Sequence, residues 1–263
     1  MDQFNSKNYP IYANFLDKLA KDLTNFYHSK LNRTFKVSNK LKGKGYDPVT
    51  TSDKAFEKFI RSKIKSKFPN HQIVGEEFGH TKSNSDFTWV IDPIDGTRSF
   101  IDGNENYACA LGIAYKGKMQ TAVVQMPSLN KTFWSNIGQG AYENGNKISA
   151  STKKDINSST LLTAKPNLDP KFWPGGVPPG KQVFRSSLAY RLCLTANGCF
   201  DAMVTLRDCW EWDIAAGDLI VREAGGQVTD RFGKNLCFNN PTPKRPGVLA
   251  GSNSIHANLL KRL

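Results

Sequence analysis

The sequence predicts a layered, mixed α/β fold, and three observations carry that prediction. Apolar residues recur at three- and four-residue steps near the N-terminus, at Phe15, Leu16, Leu19, Leu23 and Phe26. From Gln72 onward the period changes to short apolar runs separated by glycine-bearing turns. Helical and strand-like segments then alternate through the last third of the chain. The length of 263 residues is enough for one full hydrophobic core or for two modest lobes sharing an interface.

Taken in order, Tyr12 to Tyr27 reads as an amphipathic helix, with Asp17, Lys18, Lys21 and Asp22 between its apolar positions. Lys40 to Asp47 is a polar loop containing Gly43 and Gly45. Thr51-Ser52-Asp53 can cap a second helix, Lys54 to Phe68, whose buried stripe is Phe56, Phe59, Ile60, Ile64 and Phe68; Pro69-Asn70 stops it. Gln72 to Gly75 and Thr88 to Ile91 are short strands ending in acids. Tyr107 to Tyr115 and Gln120 to Met126 are neighbouring strands joined at Lys116-Gly117-Lys118. Lys131 to Ser135 and the Gly- and Asn-rich stretch Gly138 to Asn146 extend an antiparallel meander. Five prolines make Pro166 to Gly180 an irregular surface connection and a lobe boundary. Leu188 to Asn197 is helical, Asp201 to Leu206 a strand, and Asp213 to Ala224 a helix closed by Gly225-Gly226. Val248 to Ala250 is a strand and Ile255 to Leu263 a final helix. Two lobes are expected, residues 1–150 with α+β character and residues 151–263 with α/β character, working as one unit.

Composition narrows the classes of function. Hydrophobic residues are 39% and charged residues 22% of the chain, as in soluble globular proteins. No apolar run approaches the ~20 residues of a membrane helix, and the N-terminus lacks the pattern of a secretory signal, so a cytoplasmic protein with no membrane partner is expected. Lys and Arg number 36 against 23 Asp and Glu, a net charge of +13 that draws anions: nucleic acid, a phosphorylated metabolite, or nothing specific. The five cysteines are odd in number and lack CxxC spacing, which argues against a disulfide framework and a structural zinc site. The four histidines do not cluster in sequence.

The informative feature is a set of acids at strand ends and helix starts. In Trp89-Val90-Ile91-Asp92-Pro93-Ile94-Asp95-Gly96-Thr97 an apolar strand delivers Asp92, and Pro93 forces an extended turn before Asp95. Two carboxylates so placed can point into one space, where one must be protonated or a cation must sit between them. Carboxylate oxygens select a hard ion such as Mg2+. The N–H groups of Gly96 and Thr97, at a helix start, favour a phosphate. An Asx-turn with an N-cap explains that segment taken alone. Glu76-Glu77 after a buried strand would serve equally as solvated turn residues, and Asp213 in Trp212-Asp213-Ile214-Ala215-Ala216-Gly217 as an N-cap. Three such segments together are harder to explain as caps.

Gly75-Glu76-Glu77, Asp92 to Thr97, and Trp212 to Gly217 continuing to Glu223-Ala224-Gly225-Gly226 resemble the motifs of the inositol monophosphatase superfamily, in its order and spacing, over about residues 47–253. The resemblance implies an αβαβα five-layered sandwich. It also implies a Mg2+-dependent, Li+-sensitive phosphomonoesterase with two or three ions per site, usually a homodimer. By position it makes Glu76, Asp92, the carbonyl of Ile94, Asp95 and Asp213 metal ligands. Glu76 and Thr97 would orient the attacking water, with Asp53 holding the Thr97 hydroxyl. Lys42 would lie in a basic loop near the outermost metal, with Lys40 and Lys44 equally available and a solvated loop charge as the plain alternative.

For the substrate, the acid that contacts the ring in inositol phosphatases is missing: its place falls on Thr205 or Leu206, and Asp208 or Glu211 could compensate. Arg207 adds a charge for a second phosphate, and Ser186-Ser187 occupy the small-residue position of the pocket. This pattern looks more like the 3'(2'),5'-bisphosphate nucleotidase branch. Inositol monophosphate and histidinol phosphate remain alternatives, the latter from Asp47 to Thr50 and Gly96-Thr97-Arg98-Ser99-Phe100. The expected partner is thus a small phosphorylated metabolite, attacked in line by water. Two rivals are a phosphatase with an aspartyl nucleophile and a basic nucleic-acid-binding module. No recognition helix supports the second, and nucleic acid is not expected as the main partner.

Overall fold

A computed structural model of the chain describes residues 9–31, 35–41 and 45–263. Helix α1 (Tyr9–Leu31) buries Leu16, Leu19 and Leu23 of the expected stripe, while Phe15 and Phe26 sit half-buried at its edges and Tyr12 and Tyr27 are buried in their stead. Strands β1 (Val37–Asn39) and β2 (Pro48–Thr50) form a small antiparallel pair, and α2 (Thr51–Lys67) follows at once. The cap of α2 is Thr50, one residue before the expected Thr51. Its hydroxyl accepts from the N–H groups of Ser52 and Asp53 while the Asp53 carboxylate accepts from the Thr50 N–H, a reciprocal capping box.

The middle of the chain builds one sheet. After β3 (Gln72–Gly75), β4 (Gly79–Thr81) and β5 (Phe87–Asp95), the short helix α3 (Thr97–Ile101) leads into a meander. Its strands are β6 (Ala108–Tyr115), β7 (Lys118–Met126), β8 (Lys131–Asn136), β9 (Ala141–Glu143) and β10 (Asn146–Ile148). The sheet order is β10-β9-β8-β7-β6-β5-β3-β4, with β3 parallel to β5 and the other pairs antiparallel. All nine residues of β5 are buried, so it reads as a continuous apolar run ending in acids rather than as an alternating strand.

The rest builds a second sheet. The elements are β11 (Thr160–Leu162), β12 (Lys181–Val183), α4 (Leu188–Ala196), β13 (Ala202–Thr205), β14 (Cys209–Trp210) and α5 (Glu211–Glu223). Then come β15 (Gln227–Thr229), β16 (Lys244–Arg245), β17 (Val248–Gly251) and α6 (Asn253–Arg262). The five-stranded sheet runs β12-β11-β13-β17-β15, and β14 pairs with β16 apart from it. The proline-rich stretch 166–180 is not a lobe boundary: it links β11 to β12, parallel neighbours within this sheet. Nor is it merely surface chain, since Trp173 and Asn167 are buried there and the Trp173 indole donates to the Asn167 carbonyl at 2.7 Å.

Three apolar clusters define the layers. One lies between α1, α2 and the first sheet, around Trp89, Phe87 and Ile60. A second joins both sheets across α4 and α5, around Phe133, Leu192 and Ile220. The third lies between the second sheet and α6, around Leu249, Ile255 and Leu259. Helices, sheet, helices, sheet and helix therefore stack in the five-layer αβαβα order. No helix among the described residues is long and apolar enough to cross a membrane.

Candidate active site

The site forms where β5 ends and the middle helix layer begins. The β5–β6 register shifts between Asp92 and Asp95, where Pro93 has no N–H to give to the ladder. The shift carries both acids to the same end of the sheet. Asp92 is wholly buried; one carboxylate oxygen accepts the Ile94 N–H at 3.0 Å and the other, Oδ2, has no hydrogen-bond partner. Gly96 follows at φ 96°, and a Cβ there would lie 3.2 Å from the Asn106 carbonyl oxygen, so glycine alone fits the turn into α3.

Asp213 comes from the other half of the chain. Trp210 caps α5 in extended conformation, and Asp213 is the third helical residue rather than the cap itself. Its carboxylate reaches the end of β5: one oxygen each from Asp92, Asp95 and Asp213 lies within 4.8 Å of the others.

Neighbouring groups hold these acids. Asp95 Oδ2 accepts from the Ser187 hydroxyl and from the Ala189 N–H, each at 2.7 Å. Ser187 caps α4 at φ 61° by accepting the Tyr190 N–H. Ser186 donates to the Asn106 carbonyl at 2.9 Å and shares a 2.5 Å hydrogen bond with Ser99. The Thr97 hydroxyl lies 3.2 Å from both Asp53 Oδ1 and the Ile94 carbonyl. Glu76 stands at the end of β3, with its carboxylate 2.7 Å from the Lys40 ammonium, which also contacts Glu77 at 2.7 Å.

Burial dominates the electrostatics. Desolvation, then repulsion from neighbouring acids, pushes Asp92 and Asp213 well above the usual carboxylate range. Desolvation also raises Asp95, against the two hydrogen bonds from Ser187 and Ala189. Glu76 is pushed up to about 7 by burial, although Lys40 pulls the other way. Buried like charges at this spacing need a cation or protons. The orphaned Asp92 Oδ2 and the all-carboxylate donor set fit a hard divalent ion, which Asp92, Asp95 and Asp213 could hold, with Glu76 and the Ile94 carbonyl beside them.

Above the acids opens a cleft of about 680 Å³. Its floor includes Glu76, Asp92, Ile94, Asp95, Gly96, Thr97 and Asp213. Its walls include Ser186, Ser187 and Arg207, as expected, and also Arg98, Arg191 and Arg231. Arg207 makes no ion pair among the described residues. Arg191 stacks over Phe184 at 4.7 Å, and burial pushes it down to about 10, so it stays charged at neutral pH. The exposed rings of Phe172, Phe184 and Trp210 also line the cleft.

The expected compensation for the missing acid near Thr205 does not occur in the cleft. Glu211 is wholly buried and accepts the N–H groups of Asn239 and Asn240, and neither it nor Asp208 lines the cleft. Lys42 and Lys44 lie outside the described residues; Lys40 stands against the acids. Of the three further wall arginines the sequence singles out only Arg98, within Gly96-Thr97-Arg98-Ser99-Phe100; Arg191 and Arg231 escape it because they lie in separate segments with no shared motif. Only the excess of basic over acidic residues in the composition hints at them.

A family model described as the inositol monophosphatase family matches residues 12–263. Nus factor SuhB of Escherichia coli is 35% identical over 234 residues, covering 82% of this chain and 86% of that protein. A putative Nus factor SuhB of Neisseria meningitidis serogroup B is 32% identical over 248 residues, covering 84% and 95%. Among solved structures, the Thermotoga maritima IMPase superposes with a TM-score of 0.80 at 31% identity, covering 94% of both chains. SaIMPase-II with bound 2'AMP superposes at 0.81 and 25% identity, covering 94% of this chain and 91% of that one. With the five-layer fold, the buried acids and these likenesses together, the chain belongs to the inositol monophosphatase family.

Proposed function

We propose that the protein is a Mg2+-dependent phosphomonoesterase acting on a small phosphorylated metabolite. The single observation that carries this reading is the carboxylate triad Asp92, Asp95 and Asp213, with the first two buried and an orphaned Asp92 oxygen, opening into an arginine-lined cleft. Asp92, Asp95, Asp213, Glu76 and the Ile94 carbonyl are its metal ligands. Bound Mg2+, at two or three ions per site, would supply Lewis-acid charge to the phosphate oxygens and acidify water. Thr97, its hydroxyl held by Asp53, and Glu76 orient that water for direct in-line attack, with Glu76 accepting the proton. The N–H groups of Gly96 and Thr97 face the phosphate.

The substrate we favour is a 3'(2'),5'-bisphosphate nucleotide. Arg207 and its neighbours offer charge for a second phosphate, and Phe184, the more exposed ring, offers a face on which a base can stack, whereas Trp210 is already stacked on Trp212 with the Lys244 ammonium over its ring. The 2'AMP held by SaIMPase-II is in keeping with a nucleotide in such a cleft. Inositol monophosphate, bound by the same relative, and histidinol phosphate are the competing substrates. Li+ inhibition, a homodimer and a cytoplasmic setting, the last in keeping with five free cysteines, belong to the same proposal. The name Nus factor carried by SuhB relatives, with the net charge of +13, favours one second reading, a nucleic-acid-binding role.

The test is to offer the purified protein, with Mg2+, 3'-phosphoadenosine 5'-phosphate, inositol 1-phosphate and histidinol phosphate and to compare kcat/KM. The bisphosphate should be preferred. Turnover no faster than a metal-stripped control on every substrate overturns the enzyme reading, and a covalent aspartyl adduct on Asp92 or Asp95 overturns the mechanism. Metal-independent RNA binding that falls steeply with salt would support the second reading.

A further inference from the structure

The turn after β3 presents Glu76 and Glu77 to Lys40, yet its backbone belongs to no ladder. The N–H of Glu77 is taken at 2.7 Å by Oε2 of Glu57, a residue of α2 with 0% exposure. The N–H of Phe78 is taken by Glu57 Oε1 at 3.1 Å. The same oxygen accepts from Arg61 Nε at 2.7 Å, one helical turn on. Arg61 donates in turn to the Thr81 hydroxyl at 2.9 Å and to the Gly79 carbonyl, so both ends of the β3–β4 connection are tied to α2. Gly75 makes this approach possible: a Cβ there would fall 2.5 Å from Glu57 Oε1 and 2.8 Å from Ile91 Cγ1.

From this arrangement we infer that Glu57 is a positioning residue for the site, clamping from behind the turn whose side chains Lys40 holds in front. The inference rests on the reading of Glu76 as a site residue. An ionised carboxylate accepts only, so it satisfies two buried N–H groups and a guanidinium without needing a donor of its own. Glutamine of the same shape would set an NH2 group against donors and leave one of them unpaired. Aspartate would withdraw the acceptor by one carbon while keeping the counter-charge for Arg61. A turn freed in this way can still fold, but it no longer fixes Glu76 to the few tenths of an ångström that a metal or water site requires.

The test compares Glu57→Gln, Glu57→Asp and, as a matched control, Glu223→Gln in the full chain. Glu223 likewise accepts two backbone N–H groups, from Gly138 at 2.8 Å and Gly140 at 2.9 Å, but none of these residues lines the cleft. Mn2+ affinity is read by titration of the metal-free protein, and amide exchange at Glu77 and Phe78 by mass spectrometry. Glu57→Gln should speed that exchange and weaken Mn2+ binding by about 10- to 100-fold, with a fall in kcat and little change in KM. Glu57→Asp should recover part of both losses, and Glu223→Gln should leave Mn2+ affinity as in the wild type. Should Glu57→Gln not fold, Glu57→Asp carries the comparison, with faster exchange and weaker Mn2+ binding than the wild type expected. Unchanged exchange overturns the clamp. Faster exchange with Mn2+ affinity within twofold of wild type reduces the clamp to a purely structural one and overturns the positioning role. A wild type that binds Mn2+ but turns over no phosphate ester refutes the proposed function and leaves the positioning test intact.

Discussion

The floor and the walls of the cleft are built on opposite principles. The floor gathers Glu76, Asp92, Asp95 and Asp213, acids delivered by strand ends and one helix start, Asp92 and Asp95 buried and Glu76 and Asp213 half-buried. The walls gather Arg98, Arg191, Arg207 and Arg231 with exposed aromatic rings, from loops and helix faces. The floor is like-charged and braced by the Ser187, Ala189 and Lys40 donors, an arrangement stable only with protons or a cation among the acids. The walls supply the opposite sign, where an anion arrives. On the proposed function the difference separates chemistry from choice: the floor would determine what reaction is possible, and the walls which phosphate ester is held.

The largest effect should come from the floor. Asp95→Asn keeps the shape but halves the acceptor capacity that Ser187, Ala189 and an ion would share, and should lower kcat by about 10²- to 10³-fold. A loss confined to KM would mean that the floor only binds. Next comes the wall: Arg207→Ala should raise KM for a bisphosphate by about 10- to 100-fold, the worth of one charge-assisted hydrogen bond. Hydrolysis of a monophosphate should change little. Equal losses on both substrates would erase the distinction between floor and wall.

A third test uses pH. Glu76, Asp92, Asp95 and Asp213 all titrate above their unfolded values, Glu76 near 7. Between the ordinary carboxylate range and about pH 7, the metal-free folded protein therefore holds more protons than the unfolded chain. Its stability from these groups is present at low pH and falls as pH rises through that window. On the proposed function Mg2+ would bind the ionised acids, so the rise in Tm on adding Mg2+ should be larger at pH 8 than at pH 5. An increment equal at both values would show that these acids are not where the ion binds. The smallest effect belongs to the rim: Phe184→Ala should weaken a nucleotide by about 1 kcal/mol, roughly fivefold and the low end for one stacked base, and leave inositol 1-phosphate unaffected, as kcat/KM would report.

Much of the floor is legible in the amino-acid order. Asp92, Asp95 and Asp213 are flanked by Pro93, Gly96 and the Trp-Asp pair, residues whose backbone constraints act locally. The helix periods of α1 and α2 and the meander from β6 to β9 are equally legible, because 3.6- and 2-residue periods survive in short windows. Short strands such as β11, β12 and β15 carry only three residues each and leave too little pattern to read. The proline-rich stretch misleads because proline reports local irregularity, not where a layer ends; Asn167, bonded to Val204 and Leu206, and the buried Trp173 anchor it against the second sheet. Glu211 misleads because its charge is spent on the backbone of Asn239 and Asn240.

By itself the chain's covalent order determined the fold class, the helical and strand periods, and the acidic motifs. These depend on neighbours within a few residues, where sterics and hydrogen bonding are local. Only the tertiary structure decided that Asp213 meets Asp92 and Asp95, that Lys40 reaches Glu76, and that four scattered arginines share one cleft. Those contacts join residues tens to more than a hundred positions apart. Their geometry depends on how the layers stack and on desolvation at their junction, and no short window of sequence contains either.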